Sequence, residues 1–192
     1  MIFRILIVCS MLLFAGSSYA ANESFRFGFM PVYSMYYLHD PDGPTVAKGN
    51  ITPVSAVGIY DWGRDARIFA HVYYADFTLP ASSTNIGQNV KQYGFDGSYQ
   101  IMWRLTRNFR PWFGLGLGFA NETYTTRHTV VSGYVPPGGS YPDRTVENFY
   151  GVLNASNQWR LSRFWDMGVH LQLEKPTGDG ARVIRAGIYF VF

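Results

Sequence analysis

The sequence is poor in charge and in cysteine, and it contains only one long hydrophobic run. Charged residues make up 15% of the 192 residues, against about 25% in an average globular chain. Outside the N-terminal run, no stretch reaches the roughly 18 apolar residues that a membrane-spanning helix requires. The single cysteine, Cys9, lies inside that run. These absences exclude a polytopic helical membrane protein, and they leave the rest of the chain without a disulfide.

The charge balance and the motifs also exclude several kinds of partner. The formal net charge is only +3, and no basic cluster, helix-turn-helix, zinc or RRM-like motif is present, so we expect no nucleic-acid partner. His39, Asp40 and Asp42 lie in one predicted loop, but an Asp-Pro-Asp-Gly sequence is typical of a solvated turn. We therefore predict no metal, no cofactor and no catalytic residues.

The first 20 residues have the features of a secretory signal peptide. Arg4 supplies a positive charge, residues 5–15 form the apolar run, and Ser18-Tyr19-Ala20 is a small-x-small cleavage site. A buried first strand or an anchor helix is the alternative. Cys9 has no small-residue lipobox before it, which argues against lipidation. We predict cleavage near Ala20 and a mature chain of residues 21–192.

Aromatic residues and glycines are abundant, and apolar residues recur at every second position rather than at helical spacing. Aromatics make up 18% of the chain, and there are 20 glycines. In the last segment the apolar residues of Ile184 to Phe192 alternate with a face that carries Arg185, which is the pattern of a β-strand. The same pattern recurs along the chain and predicts an all-β protein, although the second segment is ambiguous in phase. The predicted strands cover residues 24–38, 51–60, 66–77, 92–103, 109–122, 146–160, 165–174 and 184–192.

The connections between the predicted strands alternate in length. The short ones are 61–65, 105–108 and 161–164; the long ones are 39–50, 80–89 and 129–145, with 176–181 a shorter fourth. This alternation, together with apolar faces that carry aromatics toward both ends, predicts an eight-stranded antiparallel up-and-down transmembrane β-barrel. We expect a monomer with both chain ends in the periplasm. A soluble β-sandwich is the alternative, and the many charges on the polar faces argue against it.

The polar faces of these strands would line a narrow interior. Because the interior of an eight-stranded barrel is just wide enough to be filled by side chains, we expect a plugged lumen. The expected lumen charge network pairs Arg67, Arg110 and Arg185 with Asp96, Glu122 and Glu174. His71 and His170 also fall on polar faces, and with Ser98 or Ser156 they could form a Ser-His-acid site. Hydrogen-bonded filling of the lumen is the favoured interpretation.

Two stretches carry a resemblance to a known family. The C-terminal sequence RVIRAGIYFVF ends in alternating apolar residues, and residues 109–120, FRPWFGLGLGFA, combine aromatics with regularly spaced glycines. Both are similar to segments of the eight-stranded outer-membrane β-barrels of the OmpA/OmpX type. The resemblance implies this fold and an outer-membrane location. It also implies a signal, read by the barrel-assembly machinery, at Ile188, Phe190 and Phe192.

The fold alone does not identify a function, because such barrels include adhesins, anchors, channels and lipid-modifying enzymes. We favour a non-enzymatic structural or adhesion-type role through the extracellular loops. The alternatives are a narrow channel for small or hydrophobic solutes and a lipid A-modifying enzyme of the PagP or PagL type. The strings closest to the sites of those enzymes, residues 154–157 and 96–98, lack the histidine or the spacing.

Two surface features indicate partners. Four cations fall near the predicted outer rim: Lys91, Arg127, Arg144 and Arg182. Cations at this level would pair with lipopolysaccharide phosphates. The longest loop, 129–145, has tyrosines and valines that could hold a surface ligand, or strand edges that could accept a further strand; a loop without a partner is the alternative. The expected partners are therefore outer-membrane lipid and lipopolysaccharide, the barrel-assembly machinery and a surface ligand.

Overall fold

The computed structural model describes residues 23–52, 55–82, 85–106, 109–131 and 134–192, with the side chains of Glu23 and 130–139 left aside. The predicted signal peptide lies outside the described residues. Within them no helix is long and apolar enough to span a bilayer. The strands are β1 (Glu23–Phe29), β2 (Val32–Leu38), β3 (Val46–Thr52), β4 (Ala56–Trp62), β5 (Ala66–Leu79), β6 (Gly87–Met102), β7 (Trp112–Val131), β8 (Tyr134–Ser140), β9 (Arg144–Arg160), β10 (Asp166–Pro176) and β11 (Arg182–Val191).

The strands form one closed antiparallel ring. From β4 to β11 each spanning strand pairs with the next along the chain, with β8 attached only to β7. The ring closes because β1 pairs with β4 on one side and with β11 on the other, where Gly28 lies opposite Val191. Taking β1 with β2, and β3 with β4, as single crossings gives eight spans. The prediction of an eight-stranded up-and-down β-barrel is confirmed.

Two of the eight spans are interrupted at neighbouring points. The first breaks between β1 and β2 at Met30 and Pro31, because proline has no N–H to continue a ladder. The second breaks between β3 and β4. The two breaks are joined to each other, since Met30 N–H donates to the Ser55 carbonyl over 2.8 Å and Ser55 N–H donates back to Met30 over 3.2 Å. The predicted strands 24–38 and 51–60 are therefore each replaced by a pair of shorter strands.

A seam runs along one side of the barrel above these breaks. The ladder between β4 and β5 ends where Ala56 lies opposite Val72. Beyond that rung, β5 continues to Leu79 while the chain on its other side is β3. Within 46–52 and 73–79, which the structure describes, no backbone ladder joins β3 to β5. In the described ranges the barrel wall is thus hydrogen-bonded all round at one end and has no ladder between these two neighbouring strands at the other.

The outward face of the barrel is apolar and the inward face is mixed. Leu115, Leu117 and Phe149 on the outward face are 71%, 75% and 67% exposed, whereas Arg67 and Arg185 on the inward face are 0% and 1% exposed. A soluble protein with this arrangement would expose its apolar residues to water and bury its charges, so the outward belt is the face of a barrel that spans lipid. This distribution excludes the soluble sandwich.

Exposed aromatic side chains mark both edges of this belt. At the end with the short connections, called the turn end below, they are Trp62, Trp103, Trp159, Phe164 and Trp165. Toward the opposite end, called the loop end, they are Tyr33, Tyr37, Tyr74 and Tyr93. Tryptophan and tyrosine prefer the interface between hydrocarbon and headgroups, so the two sets locate the membrane along the strands.

The loop end carries more regular structure than the sequence predicts. The expected loop 39–50 is shorter, because β3 begins at Val46. The expected loop 129–145 contains β8, whose backbone pairs with the end of β7. As a result β7, β8 and β9 form a sheet that extends past the membrane belt at this end.

Candidate functional site

The interior of the barrel is built in layers, and the layer at the turn end is centred on Arg67 of β5. Its guanidinium donates to Gln100 and Gln158 over 2.6 Å each and to Ser156 over 2.7 Å. It also lies over the Trp112 ring, 4.2 Å from the ring centroid. The expected partner was a carboxylate, and amide and hydroxyl oxygens take its place. The ion pairs of this layer instead join Arg26 to Asp61 and Asp166.

Arg110 does not belong to the interior network, contrary to the expectation. It is exposed and precedes β7, near the mouth at the turn end. The next residue, Pro111, cannot donate to a ladder, so β7 begins only at Trp112. Trp112 is therefore the first inward side chain of this strand, and it occupies the position beside Arg67.

The layer toward the loop end is centred on Arg185 of β11. It forms an ion pair with Glu174 and also donates to Ser34 over 3.0 Å and to Gln92 over 3.2 Å. The Tyr73 ring lies 3.8 Å from its guanidinium carbon. Every one of these groups is buried, and a buried cation is tolerated only when it is paired and hydrogen-bonded in this way.

Glu122, another predicted member of the network, has no cation as a hydrogen-bond partner. Its carboxylate accepts hydrogen bonds from the Gln92 amide over 2.9 Å, from the Tyr124 hydroxyl and from the Ala181 backbone N–H. Asp96 likewise accepts from neutral Gln172 and lies beside His71. Of the expected acids, only Glu174 has an arginine partner.

A serine, a histidine and an aspartate meet at mid-height in the interior. Ser55 Oγ lies 2.8 Å from His71 Nε2, and His71 Nδ1 lies 3.2 Å from Asp96 Oδ2. The exposed fractions of the three residues are 3%, 1% and 2%. Gln172 donates a further hydrogen bond to Asp96 Oδ2 over 3.0 Å. The three residues stand in the spatial order of a Ser-His-acid triad, and the Ser55 hydroxyl also donates to the Met30 carbonyl over 2.7 Å.

The sequence interpretation named the histidine of this triad but not its serine. Ser98 instead donates to the Phe69 carbonyl, and Ser156 accepts from Arg67. His170 stacks on Phe69, with 4.4 Å between ring centroids. Ser55 escaped notice because it lies at the break in the segment of ambiguous phase, where alternation gives no direction for a side chain.

Apolar layers separate the polar ones. One, between the Arg67 and Arg185 layers, consists of Met30, Val32, Val57, Ile59, Phe69, Tyr189 and Val191. Another, at the loop end, consists of Tyr36, Leu38, Ala75, Phe77, Leu79, Val90, Tyr124, Ala181 and Val183. The side chains of both layers are buried, and the described interior is therefore filled along its length.

Arg127 fastens the loop end. It is 3% exposed and donates to Asp40 over 2.7 Å, to Asp42 over 2.8 Å and to the Pro142 carbonyl over 2.8 Å. Burial alone would lower the pKa of Arg127, but the hydrogen bonds and charges of Asp42 and Asp40 raise it above its ordinary value, so the guanidinium stays charged. The connection between β2 and β3 is thereby tied to the sheet of β7 and β9.

Arg127 is therefore not at an exposed rim, which corrects the expectation that it faces lipopolysaccharide. Thr126 has a φ of 57°, a left-handed conformation that is rare for a β-branched residue. Inward positions on β7 are even-numbered up to Tyr124, and beyond Thr126 the inward position is Arg127. The backbone turn at Thr126 thus directs a side chain inward that simple alternation would direct outward.

The three other predicted rim cations do not form one cluster. Lys91 is exposed on β6, opposite Asp76 in the register. Arg144 donates to the Asp179 carbonyl over 3.1 Å. Arg182 is exposed and, with Lys175 and His39, lines a loop-end cleft of about 640 Å³ between the connections that follow β2 and β10. The cleft thus combines concavity with two exposed cations, Lys175 and Arg182, and two acids, Glu174 and Asp179, also line it.

The three residues of the predicted assembly signal all lie on the outward face of β11. Phe192 packs against Phe27, with 4.4 Å between ring centroids, and against Trp165 at 4.9 Å. Phe190 stacks on Phe29 at 5.3 Å. Together with Ile188 they form part of the lipid-facing belt.

The ring of eight antiparallel spans with an apolar outer belt and a filled polar interior defines a small transmembrane β-barrel. By structure, the chain is similar to Neisserial surface protein A, with a TM-score of 0.55 at 12% identity over 89% of this chain and 98% of that one. It is also similar to Ail, the attachment invasion locus protein of Yersinia pestis, with a TM-score of 0.52 at 10% identity over 90% of this chain and 98% of that one. A second Ail structure, in complex with the heparin analogue sucrose octasulfate, gives a TM-score of 0.51 at 11% identity, covering 88% and 96% of the two chains.

The chain therefore has the fold of the eight-stranded outer-membrane β-barrels of the OmpA/OmpX type. By sequence, no family profile and no curated protein matches it.

Proposed function

We propose that this protein is an outer-membrane β-barrel, exported with cleavage near Ala20, that acts by presenting its loop end to a ligand at the cell surface. The observation that carries the proposal is the fastening of the loop end by Arg127. By bridging Asp40, Asp42 and the Pro142 carbonyl, it holds separate connections in one arrangement above the membrane. A binding surface benefits from such preorganisation, because less conformational entropy is lost when the ligand binds.

The interior supports this role over that of a through-channel. Arg67 and Arg185 are each held by several hydrogen bonds, and an apolar layer lies between them. An ion crossing the barrel would have to displace both buried networks and cross that layer without water, which is strongly unfavourable.

The loop-end cleft favours an anionic ligand. Lys175 and Arg182 line it without a hydrogen bond or ion pair among the described residues, whereas the lining acid Glu174 is already paired with Arg185. Sulfated or phosphorylated saccharides supply the charge density that such cations bind. A neighbour by fold, Ail, is known in complex with a heparin analogue. Lipopolysaccharide phosphates offer the same chemistry from the membrane side, with Lys91 and Arg144 as further contacts.

Binding is tested with purified barrel in detergent and two probes, sucrose octasulfate and purified lipopolysaccharide. We expect the double variant K175Q/R182Q to lose roughly tenfold in affinity, about 1.4 kcal/mol, and the loss to shrink at high salt because the contacts are exposed. Arg163→Gln is the matched control, since Arg163 is an exposed cation at the turn end, outside the cleft. Loss for sucrose octasulfate alone indicates a surface saccharide, and loss for lipopolysaccharide alone indicates a lipid headgroup.

Equal affinity in K175Q/R182Q and in the parent for both probes would contradict the proposed cleft. The proposal that the barrel does not conduct ions along its axis is tested separately in planar bilayers. We expect no stable ionic conductance from the heat-modifiable, folded protein. A reproducible single-channel step, abolished when the protein is boiled before reconstitution, would overturn this part and favour the channel alternative.

A further inference from the structure

The Ser55, His71 and Asp96 side chains form a hydrogen-bonded row that the surface role does not use. They come from three separate segments, because Ser55 precedes β4, His71 lies on β5 and Asp96 lies on β6. Ser55 Oγ and His71 Nε2 are 2.8 Å apart, so the two atoms share one hydrogen in a hydrogen bond. Such an arrangement is the one by which a serine hydroxyl is activated as a nucleophile.

The hydrogen-bond partners of the row allow the activated state. Asp96 Oδ2 accepts from Nδ1–H of His71, and this tautomer leaves the Nε2 lone pair directed at Ser55. The Ser55 hydroxyl has a second acceptor, the Met30 carbonyl, at 2.7 Å. That carbonyl also accepts the Ser55 backbone N–H, so it stays hydrogen-bonded when the hydroxyl turns to His71. When the hydroxyl donates to the Met30 carbonyl, His71 Nε2 lacks a donor, and turning the hydroxyl toward His71 satisfies that nitrogen.

The row lies where the seam begins. Ser55 and His71 each adjoin the last rung of the β4–β5 ladder, in which Ala56 lies opposite Val72. Above that rung, in the described ranges 46–52 and 73–79, β3 and β5 share no ladder. His71 is three residues below the exposed, interfacial Tyr74, which is about 10 Å along a strand. The shortest path from headgroup level to the serine therefore runs between β3 and β5.

The row borders on apolar side chains, which are the groups that the hydrocarbon chain of an ester would contact. Met30, Val57 and Phe69 are fully or almost fully buried in the apolar layer beside it. Thr52, which ends β3 and is 3% exposed, has a buried hydroxyl without a hydrogen-bond partner. An unpaired buried donor is costly, and its hydrogen is free to be donated to an oxygen of a bound ligand.

We propose that Ser55, His71 and Asp96 form a catalytic site that hydrolyses an acyl ester of a membrane lipid reaching it through the seam between β3 and β5. Ser55 Oγ attacks the ester carbonyl carbon and passes its proton to His71 Nε2. The ester C–O bond breaks, the departing alcohol takes that proton, and an acyl group remains on Ser55. Water then attacks the acyl group through the same base, releasing a carboxylic acid and restoring the serine. Asp96 acts as a positioning residue for His71.

The proposal is tested with folded, full-length mature barrel and a long-chain alkyl fluorophosphonate, in which serine oxygen displaces fluoride from phosphorus. We expect one adduct per chain, located on Ser55 by peptide mass spectrometry. Ser55→Ala should give none. His71→Gln should slow labelling by on the order of 100-fold, the lower range for loss of a general base. Ser98→Ala is the matched control, because Ser98 is a buried lumenal serine that donates to a backbone carbonyl, and it should label like the parent.

Heat-modifiability on gels shows whether each variant is folded. Hydrolysis of 4-nitrophenyl esters provides the second readout: the dodecanoate should be cleaved faster than the acetate, and Asp96→Asn should lower kcat and shift its pH profile. Absence of an adduct and of ester cleavage in folded parent protein would overturn the proposal. So would labelling that persists in Ser55→Ala. The loop-end cleft is assayed with different probes. A negative result for the serine site therefore does not contradict the proposed binding at the cleft, and the reverse also holds.

Discussion

Arg127 of β7 and Asp40 of the connection after β2 are joined by a 2.7 Å hydrogen bond in which both partners are almost fully buried. The two residues are 87 positions apart in the chain. Their contact ties the first connection at the loop end to the extended sheet of β7 and β9. A buried ion pair therefore joins these two segments of the loop end.

Removal of this pair should loosen the loops without opening the barrel. We expect Arg127→Gln to increase proteolysis within residues 39–45 and to leave the heat-dependent gel shift unchanged, because the ladders of the barrel do not involve this side chain. Arg104→Gln is the control, since the Arg104–Asp65 pair is half exposed and exposed pairs contribute only about 0–1 kcal/mol. Equal cleavage of both variants and the parent would contradict the fastening role.

Breaking the buried ion pair between Arg185 and Glu174 should destabilise the barrel much more than breaking the half-exposed pair of Arg104 and Asp65. Arg185→Met leaves a buried carboxylate without its cation, and we expect a loss of about 3–5 kcal/mol in unfolding free energy. Adding Glu174→Gln should recover part of that loss, because the uncompensated charge is gone. The measurement is urea-induced unfolding of the barrel in detergent, followed by tryptophan fluorescence. A double variant less stable than Arg185→Met would contradict this account.

Gly116 on β7 and Gly151 on the neighbouring strand β9 offer a matched pair of substitutions. A Cβ placed on Gly116 would lie 2.1 Å from the Gly97 carbonyl oxygen, a backbone atom that cannot move aside, whereas one placed on Gly151 meets nothing within 4 Å. We expect Gly116→Ala to abolish or severely slow refolding into detergent, and Gly151→Ala to refold like the parent. Equal refolding yields on unboiled gels would show that the strand packing at Gly116 is looser than described.

The terminal phenylalanine should matter more for assembly in cells than for the stability of the finished barrel. We expect Phe192→Ser to reduce the amount of protein in the outer membrane severalfold. Refolding of the purified variant in detergent should still succeed, although the contacts with Phe27 and Trp165 are lost. Phe164→Ser, which removes an exposed aromatic at the same end, is the control. Equal outer-membrane amounts for the two variants would argue against an assembly signal at Phe192.

The alternation of apolar and polar residues was sufficient to predict the fold. The wall of a barrel has only an outer and an inner face, and every residue of a regular strand points to one of them. The inward direction of Arg67 and Asp96 follows from that pattern alone. It was insufficient wherever the backbone leaves the regular geometry. The break between Thr52 and Ser55 and the positive φ of Thr126 each change the parity of the inward positions, and the late start of β7 after Pro111 leaves Arg110 outside the strand.

The identity of hydrogen-bond partners was also beyond the sequence. Opposite charges on neighbouring inward faces suggested ion pairs, yet Arg67 is held by amides and Glu122 by neutral donors. Which inward groups meet depends on the stagger between strands and on how far each side chain reaches across the barrel. Ser55 and His71 meet for the same reason, since the interruption between β3 and β4 brings the serine beside β5.

The pairing of Gly28 with Val191 joins the first strand of the barrel to the last. A nascent chain that has not yet delivered β11 has two unpaired edges, and neither edge can be satisfied by lipid. Such a chain has no stable, partly closed barrel as an intermediate, because the contact between its most distant strands is also the one that closes the ring. Insertion must therefore wait for the C-terminus, and a recognition sequence located there would report that the chain is ready to close.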